Sequence, residues 1–184
     1  MTTPIPDRPH VSIRFSAAEI ATRVEEMAAD LAVQLPADTL VVSVLKGSFV
    51  FAADLIRALS RAGADWSMDF LTLSSYGKHT STSGNVQIVR DIVDDVRDRD
   101  VLLVDDILES GLTLSFARNL MKERGAHRVW ICTLLDKPHK RRAPLEADFT
   151  GFRAGDEFVV GYGLDWAHRF RGLPYIGVVE KQAG

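Results

Sequence analysis

Short apolar runs alternate along the chain with stretches in which apolar residues return every third or fourth position, the periods of buried strands and amphipathic helices. The first helical stretch opens at Ser16-Ala-Ala-Glu19, a capping box, and puts Ile20, Val24, Met27 and Leu31 on one face before Pro36 stops it. Thr39 to Leu45 reads as a strand, Lys46-Gly47-Ser48 as a tight turn, and Phe49 to Arg61 as a helix closed by Gly63. Further strands are predicted over Trp66 to Leu73, Val86 to Val89, Val101 to Val104, Val129 to Leu135, Glu157 to Tyr162 and Ile176 to Val179, with a helix over Thr113 to Arg124. Strands alternating with helices predict an α/β fold around a mainly parallel, twisted sheet flanked by helices. Between Ser74 and Asn85 the chain is polar and aperiodic, which fits an exposed hairpin loop or a mobile lid.

Composition narrows the class. With 184 residues and 46% hydrophobic content, the chain suits one globular domain, 1–184, able to bury a sizeable core. A net charge of −3 gives no general electrostatic reason to bind nucleic acid. No apolar run is long enough to cross a bilayer, Met1-Thr-Thr-Pro-Ile-Pro6 lacks a signal-peptide pattern, and the single cysteine, Cys132, has no internal disulfide partner. The expectation is a cytoplasmic protein with no membrane or nucleic-acid partner, and with Cys132 buried in a strand.

The most informative stretch is Val101-Leu-Leu-Val-Asp-Asp-Ile-Leu-Glu-Ser-Gly-Leu-Thr-Leu114, where an apolar run ends in Asp105, Asp106 and Glu109 and then a Ser110-Gly111-Leu112-Thr113 turn. A sharp turn between strand and helix leaves backbone N–H groups unpaired at a helix start, where they and the helix dipole attract a phosphate. The acids then stand at the carboxyl end of a parallel strand, where open α/β sheets place their ligands. One such Asp is commonly a solvated loop residue or cap; three around Ser-Gly-x-Thr point to function. A Walker loop fails for want of Gly-Lys-Ser/Thr, and no Gly-x-Gly-x-x-Gly occurs here. A receiver domain also places an acidic pair after a strand, but its first one, whereas a hundred residues precede this pair.

Other polar groups fall at the ends of predicted strands. Lys46-Gly47 could meet a second anionic group or merely cap a helix; Lys137 would aim a donor into the same crevice. Lys140-Arg141-Arg142 reads as solvated surface, with a subunit contact as the other use. Phe158 to Asp165 joins an aromatic ring, free backbone groups and another acid at a strand end.

Together these segments resemble the type I phosphoribosyltransferase family over nearly the whole chain. Val101 to Leu114 is similar to its phosphoribosyl diphosphate signature, Leu45-Lys-Gly-Ser48 to its diphosphate loop, and Ser74-Ser-Tyr-Gly77 to the start of its catalytic loop. Leu134-Leu-Asp-Lys-Pro138, Phe158-Val-Val-Gly-Tyr-Gly-Leu-Asp165 and Arg169-Phe-Arg-Gly-Leu-Pro-Tyr-Ile-Gly177 resemble the 6-oxopurine enzymes of the family. The resemblance implies a small hood built from the terminal segments above the sheet, and a catalytic loop at about 74–85. It implies transfer of a phosphoribosyl group from phosphoribosyl diphosphate to N9 of hypoxanthine or guanine, giving IMP or GMP and diphosphate, with Mg²⁺ as cofactor. A homo-oligomer, dimer or tetramer, is also implied.

The same resemblance assigns roles residue by residue. Asp105 and Asp106 would bind the ribose hydroxyls and Glu109, Ser110, Gly111, Leu112 and Thr113 the ribose phosphate; Lys46, Gly47 and Arg171 would hold the diphosphate. Lys137 would donate to the exocyclic oxygen of the purine, Phe158 would stack on it, and Val159 would bond its edge beside Asp165. The metal would rest on Asp165, with Asp105 and Asp106 as further ligands directly or through water. Ser75 and Tyr76 would close over the diphosphate, and Glu109 would act as base towards the purine N7. At that position the family usually has Asp, so a methylene is added; Asp105 likewise stands where Glu is commoner. A phosphoribosyltransferase acting on xanthine or a pyrimidine, and a regulator that senses phosphoribosyl diphosphate, are the competing functions.

Overall fold

A computed structural model of the chain describes residues 9–76 and 85–180. Six strands form the main sheet in the order β4-β3-β2-β5-β6-β7: β2 (Leu40–Leu45), β3 (Ser67–Tyr76), β4 (Asn85–Arg90), β5 (Asp100–Leu108), β6 (Arg128–Asp136) and β7 (Phe149–Arg153). All neighbours run parallel except β3 and β4, which pair antiparallel at one edge. Helices α1 (Ala17–Gln34) and α2 (Phe49–Arg61) pack on one face and α3 (Leu112–Glu123) on the other. The central strands therefore bury both faces: Leu40, Val42, Leu103 and Val101 side with α3, whereas Val41, Leu102 and Val104 side with α1 and α2. This two-sided burial is why they read as unbroken apolar runs.

The capping box forms, with Ser16 N–H donating to Glu19 Oε2 at 2.8 Å and Glu19 N–H to Ser16 Oγ at 3.2 Å. Gly63 follows α2 with φ 87°, the left-handed closure expected of it. Cys132 is fully buried, and burial pushes its thiol far above the ordinary range.

A second sheet, in the order β1-β9-β8, joins β1 (Val11–Phe15) to β8 (Val159–Val160) and β9 (Ile176–Val179) and makes the hood from both terminal segments. Tyr162 ties hood to body by donating its hydroxyl to Asp54 Oδ2 of α2 at 2.5 Å.

Several boundaries differ from the expected ones. Strands β1 and β7 lie outside the stretches predicted as strands. The strand expected over Glu157 to Tyr162 shrinks to Val159–Val160, because Gly161, Tyr162 and Gly163 take φ of 98°, 49° and 99° and turn the chain. The strand expected to stop at Val104 runs to Leu108, so Asp105 and Asp106 lie within β5. Its pairing with β2 nevertheless ends at Ser43↔Val104, while its pairing with β6 continues to Leu108↔Asp136. Past Val104 the sheet is split on the β2 side, and the acids border the gap.

Candidate functional site

That gap lies between β2 and β5. Chain order proceeds outward from β2 to β3 and β4 on one side and from β5 to β6 and β7 on the other, so the gap is the switch point where such sheets bind ligands. Two cavities meet there. One, of about 280 Å³, lies against Lys46, Asp105, Ser110, Gly111 and Thr113; the other, of about 300 Å³, against Lys137, Phe158, Val159, Asp165 and Arg171. Gly47, Asp106, Ile107 and Glu109 line both.

The first cavity is built by the β5–α3 connection. Gly111 is the N-cap of α3 with φ 77°, a conformation that a side-chain-bearing residue rarely adopts. The helix starts at Leu112, one residue earlier than expected, and Leu112 N–H lies 3.4 Å from Ser110 Oγ. Loop residues 109–111 and Thr113 thus surround the start of a helix whose dipole favours an anion. Opposite, the Lys46-Gly47-Ser48 turn follows β2, and the Leu45–Lys46 peptide is cis. Gly47 touches Asp106 closely: a β-carbon there would lie 1.8 Å from Asp106 Oδ2.

Asp105 and Asp106 are each only 8% exposed. Burial drives the Asp105 carboxyl well above the ordinary carboxylate range, and the adjacent Asp106 charge adds to the shift. Burial raises Asp106 as well, offset by hydrogen bonds to its charged form and by Arg171. The pair is suited to partners that favour ionised carboxylates, such as hydroxyl donors or a cation.

In the second cavity Lys137 is 3% exposed, follows β6, and donates Nζ–H to Glu157 O at 2.6 Å. Burial holds its ammonium below the ordinary lysine range. An ammonium has three donors, so this bond leaves others for a ligand. The Phe158 side chain, 54% exposed, stands at the rim, while Val159 is buried by hood pairing. Arg171 pairs with Asp165 at 2.6 Å and donates to Gly163 O at 2.6 Å; Asp165 also accepts from His168 N–H at 2.7 Å.

Among the expected site residues whose side chains are described, all but Leu112 line these two cavities; Leu112 packs towards the α3-side core. Glu109 borders both, but its carboxylate is held by Lys140 at 2.8 Å. Ser75 and Tyr76 end β3, paired with Val86 and Asn85; the greater part of the expected catalytic loop, 77–84, lies outside the described residues. One expectation is overturned: Arg141 is not solvated surface. Its side chain is 15% exposed, forms an ion pair with Asp136, and donates to Leu108 O at 3.0 Å and Glu109 O at 2.7 Å. A run of three basic residues hides this, because only the fold brings the segment after β6 and the β5–α3 loop side by side.

The cradle for an anion at the switch point, the buried acids beside it and a lysine-bearing cavity next door agree with comparison to known proteins. A family model described as "Phosphoribosyl transferase domain" matches residues 16–166, and the chain belongs to that family. Within it, the chain is 46% identical over 170 residues to the hypoxanthine-guanine phosphoribosyltransferase of Bacillus subtilis (strain 168), covering 91% of this chain and 92% of that one. It is 43% identical over 172 residues to the hypoxanthine phosphoribosyltransferase of Escherichia coli (strain K12), covering 92% and 95%. A crystal structure of a hypoxanthine-guanine phosphoribosyltransferase from Bacillus anthracis superposes with a TM-score of 0.87 at 39% identity, covering 94% of this chain and all of that one.

Proposed function

We propose that the chain transfers the phosphoribosyl group of phosphoribosyl diphosphate to N9 of a 6-oxopurine, hypoxanthine or guanine, forming IMP or GMP and releasing diphosphate, a purine-salvage reaction. The observation that carries this reading is the pair of adjoining cavities, one with a helix-start anion cradle and two buried acids, the other with a buried lysine donor. Two cavities that share Gly47, Asp106, Ile107 and Glu109 fit a substrate pair with a phosphorylated sugar at one end and a flat base at the other.

The Glu109–Thr113 loop holds the ribose phosphate, and Asp105 with Asp106 accept from the ribose hydroxyls. Lys46, the Gly47 peptide and Arg171 offset charge on the departing diphosphate while oxocarbenium character develops at the anomeric carbon. Lys137 donates to the exocyclic oxygen of the base; adenine would set an amino donor against that ammonium and leave a buried group unpaired. Phe158 covers the face of the base, and the Val159 backbone meets its edge. Glu109 accepts the proton from the purine N7 once its carboxylate leaves Lys140.

The donor set fits a hard divalent cation such as Mg²⁺. Among the described residues no three His, Cys, Asp or Glu side chains gather into a complete cage, so Asp165, with Asp105 and Asp106 directly or through water, would supply only part of a shell completed by ligand oxygens. When bound, the ion would neutralise diphosphate charge.

The whole chain, 1–184, acts as one domain, with the catalytic loop at about 74–85, Ser75 and Tyr76 included, closing over the diphosphate. Supporting this, the β2–β3 ladder ends at Leu45↔Thr72 while β3 continues to Tyr76, past the end of β2. Homo-oligomer formation, as dimer or tetramer, is supported by Phe70, Ile88, Val89 and Val93, apolar and exposed on or beside β3 and β4. No described helix is long and apolar enough to cross a membrane; a cytoplasmic location fits substrates too highly charged to cross one unaided.

Initial rates with phosphoribosyl diphosphate and Mg²⁺, offering hypoxanthine, guanine, xanthine, adenine and uracil in turn, test the reading. Nucleotide formation chiefly from hypoxanthine or guanine is expected, and dominant use of xanthine would overturn that choice of base. Dominant use of uracil or adenine would overturn the base-site assignment, and binding of phosphoribosyl diphosphate without any transfer would make the chain a sensor.

A further inference from the structure

We infer that Arg141 is a positioning residue for the phosphate loop, holding its peptide planes so that their N–H groups face the ligand; the inference rests on the functional reading above. Three successive carbonyls of the loop are engaged on one side. Leu108 O accepts from Arg141 Nη1 at 3.0 Å and from Lys137 N–H at 3.0 Å, Glu109 O accepts from Arg141 Nη1 at 2.7 Å, and Ser110 O accepts from Arg142 N–H at 2.9 Å and Ala143 N–H at 3.0 Å. In a trans peptide the C=O and the following N–H point in opposite directions. The N–H groups of Glu109, Ser110 and Gly111 are thereby turned away from the Arg141–Ala143 segment, and these three residues line the cavity of the anion cradle.

Arg141 can do this because it is itself fixed. Its guanidinium is ion-paired with Asp136 at the end of β6, and its side chain packs where a Gly111 β-carbon would come within 3.1 Å of Cδ. A planar fork can span a carboxylate and two carbonyls at once; a lysine ammonium offers no such flat, fixed geometry. The Leu108 carbonyl also accepts from the Lys137 N–H, a backbone bond that does not depend on Arg141, so the base end keeps its own support.

The test compares wild type with Arg141→Lys and Arg141→Met, measuring ribose 5-phosphate affinity by calorimetry, KM for phosphoribosyl diphosphate and for hypoxanthine separately, and thermal midpoint. Both variants should bind ribose 5-phosphate about tenfold or more weakly, since losing one well-aimed hydrogen bond to a charged group is worth about that factor. KM for phosphoribosyl diphosphate should rise with it while KM for hypoxanthine holds. If Arg141→Met does not fold, Arg141→Lys, which keeps the charge and most of the packing, carries the comparison. Unchanged ribose 5-phosphate affinity in a folded variant, or equal weakening towards both substrates, would overturn the inference. Wild type that binds ribose 5-phosphate but transfers nothing to a 6-oxopurine would sink the functional reading and leave this one standing; wild type that transfers but does not bind ribose 5-phosphate would sink this one and leave the functional reading standing.

Discussion

Replacing Gly47 by Ala probes the tightest contact in the site. The new β-carbon would fall 1.8 Å from Asp106 Oδ2, 2.5 Å from Cγ and 2.9 Å from Oδ1, whereas real β-carbons essentially never approach a heavy atom within 3.0 Å. One of the two groups must retreat by 1.2 Å (3.0 − 1.8). The backbone on either side of Asp106 is fixed by the pairings Asp105↔Thr133 and Ile107↔Leu135, so the carboxylate has to swing towards the cavity. Overpacking a filled core costs about 1–3 kcal/mol; with a cavity beside it, Gly47→Ala should sit at the low end and remain folded. Catalysis should suffer more, because a carboxylate displaced by about 1 Å from the ribose hydroxyls costs on the order of 100-fold in rate. Initial rates and a melting curve give both quantities. Gly172→Ala serves as control, since a β-carbon there meets nothing within 4 Å. Wild-type kcat/KM in a folded Gly47→Ala enzyme would refute the placement of Asp106 at the sugar.

Lys137→Met should raise KM for hypoxanthine and narrow the preference over adenine by about 10-fold or more, the value of an unpaired buried group; unchanged discrimination in paired initial-rate assays would remove Lys137 from the base site. Glu109→Gln should lower kcat by about 10²–10⁴-fold if its carboxylate takes the proton, with KM for phosphoribosyl diphosphate nearly unchanged, as pre-steady-state rates would reveal. Asp105→Asn should stabilise the free protein increasingly as pH rises. The folded-state pKa of Asp105 is raised, so its contribution to stability is greatest when protonated and is lost as pH climbs through that raised value; denaturant melts at pH 5 and 8 that show the opposite trend would contradict the burial argument. Sedimentation should detect a dimer or tetramer, and Val89→Lys on exposed β4 should weaken it.

Much of this molecule is legible in its sequence because its central strands are buried on both faces and announce themselves as apolar runs between glycine turns. The hood is less so. β1 carries a period-two alternation, Val11-Ser-Ile-Arg-Phe15, yet five residues near a terminus give little to distinguish a strand from a tail, and only pairing with β9 at the other end of the chain makes it one. β7, Phe149–Arg153, is short, contains Gly151 and borders an irregular stretch. At the candidate site, the residues that line the two cavities can be placed from local motifs, since strand, acids, turn and helix are contiguous. Arg141 could not, because its partners Leu108 and Glu109 lie 33 and 32 residues away and neither contributes more than a carbonyl, a group every residue has. Charged residues supporting a backbone loop leave no composition signal; they look like surface until the partner strand is known.

The two buried acids have a calorimetric consequence. Burial leaves both holding protons more firmly than an ordinary Asp, and ligand hydroxyls or a cation favour the ionised forms. Association should therefore expel protons into solution, so that the heat of binding varies with the ionisation enthalpy of the buffer, and affinity should grow with pH until the pair is already ionised. Occupancy of the cavity that Asp105 and Asp106 line should then fall on acidification, as proton release measured in two buffers would show.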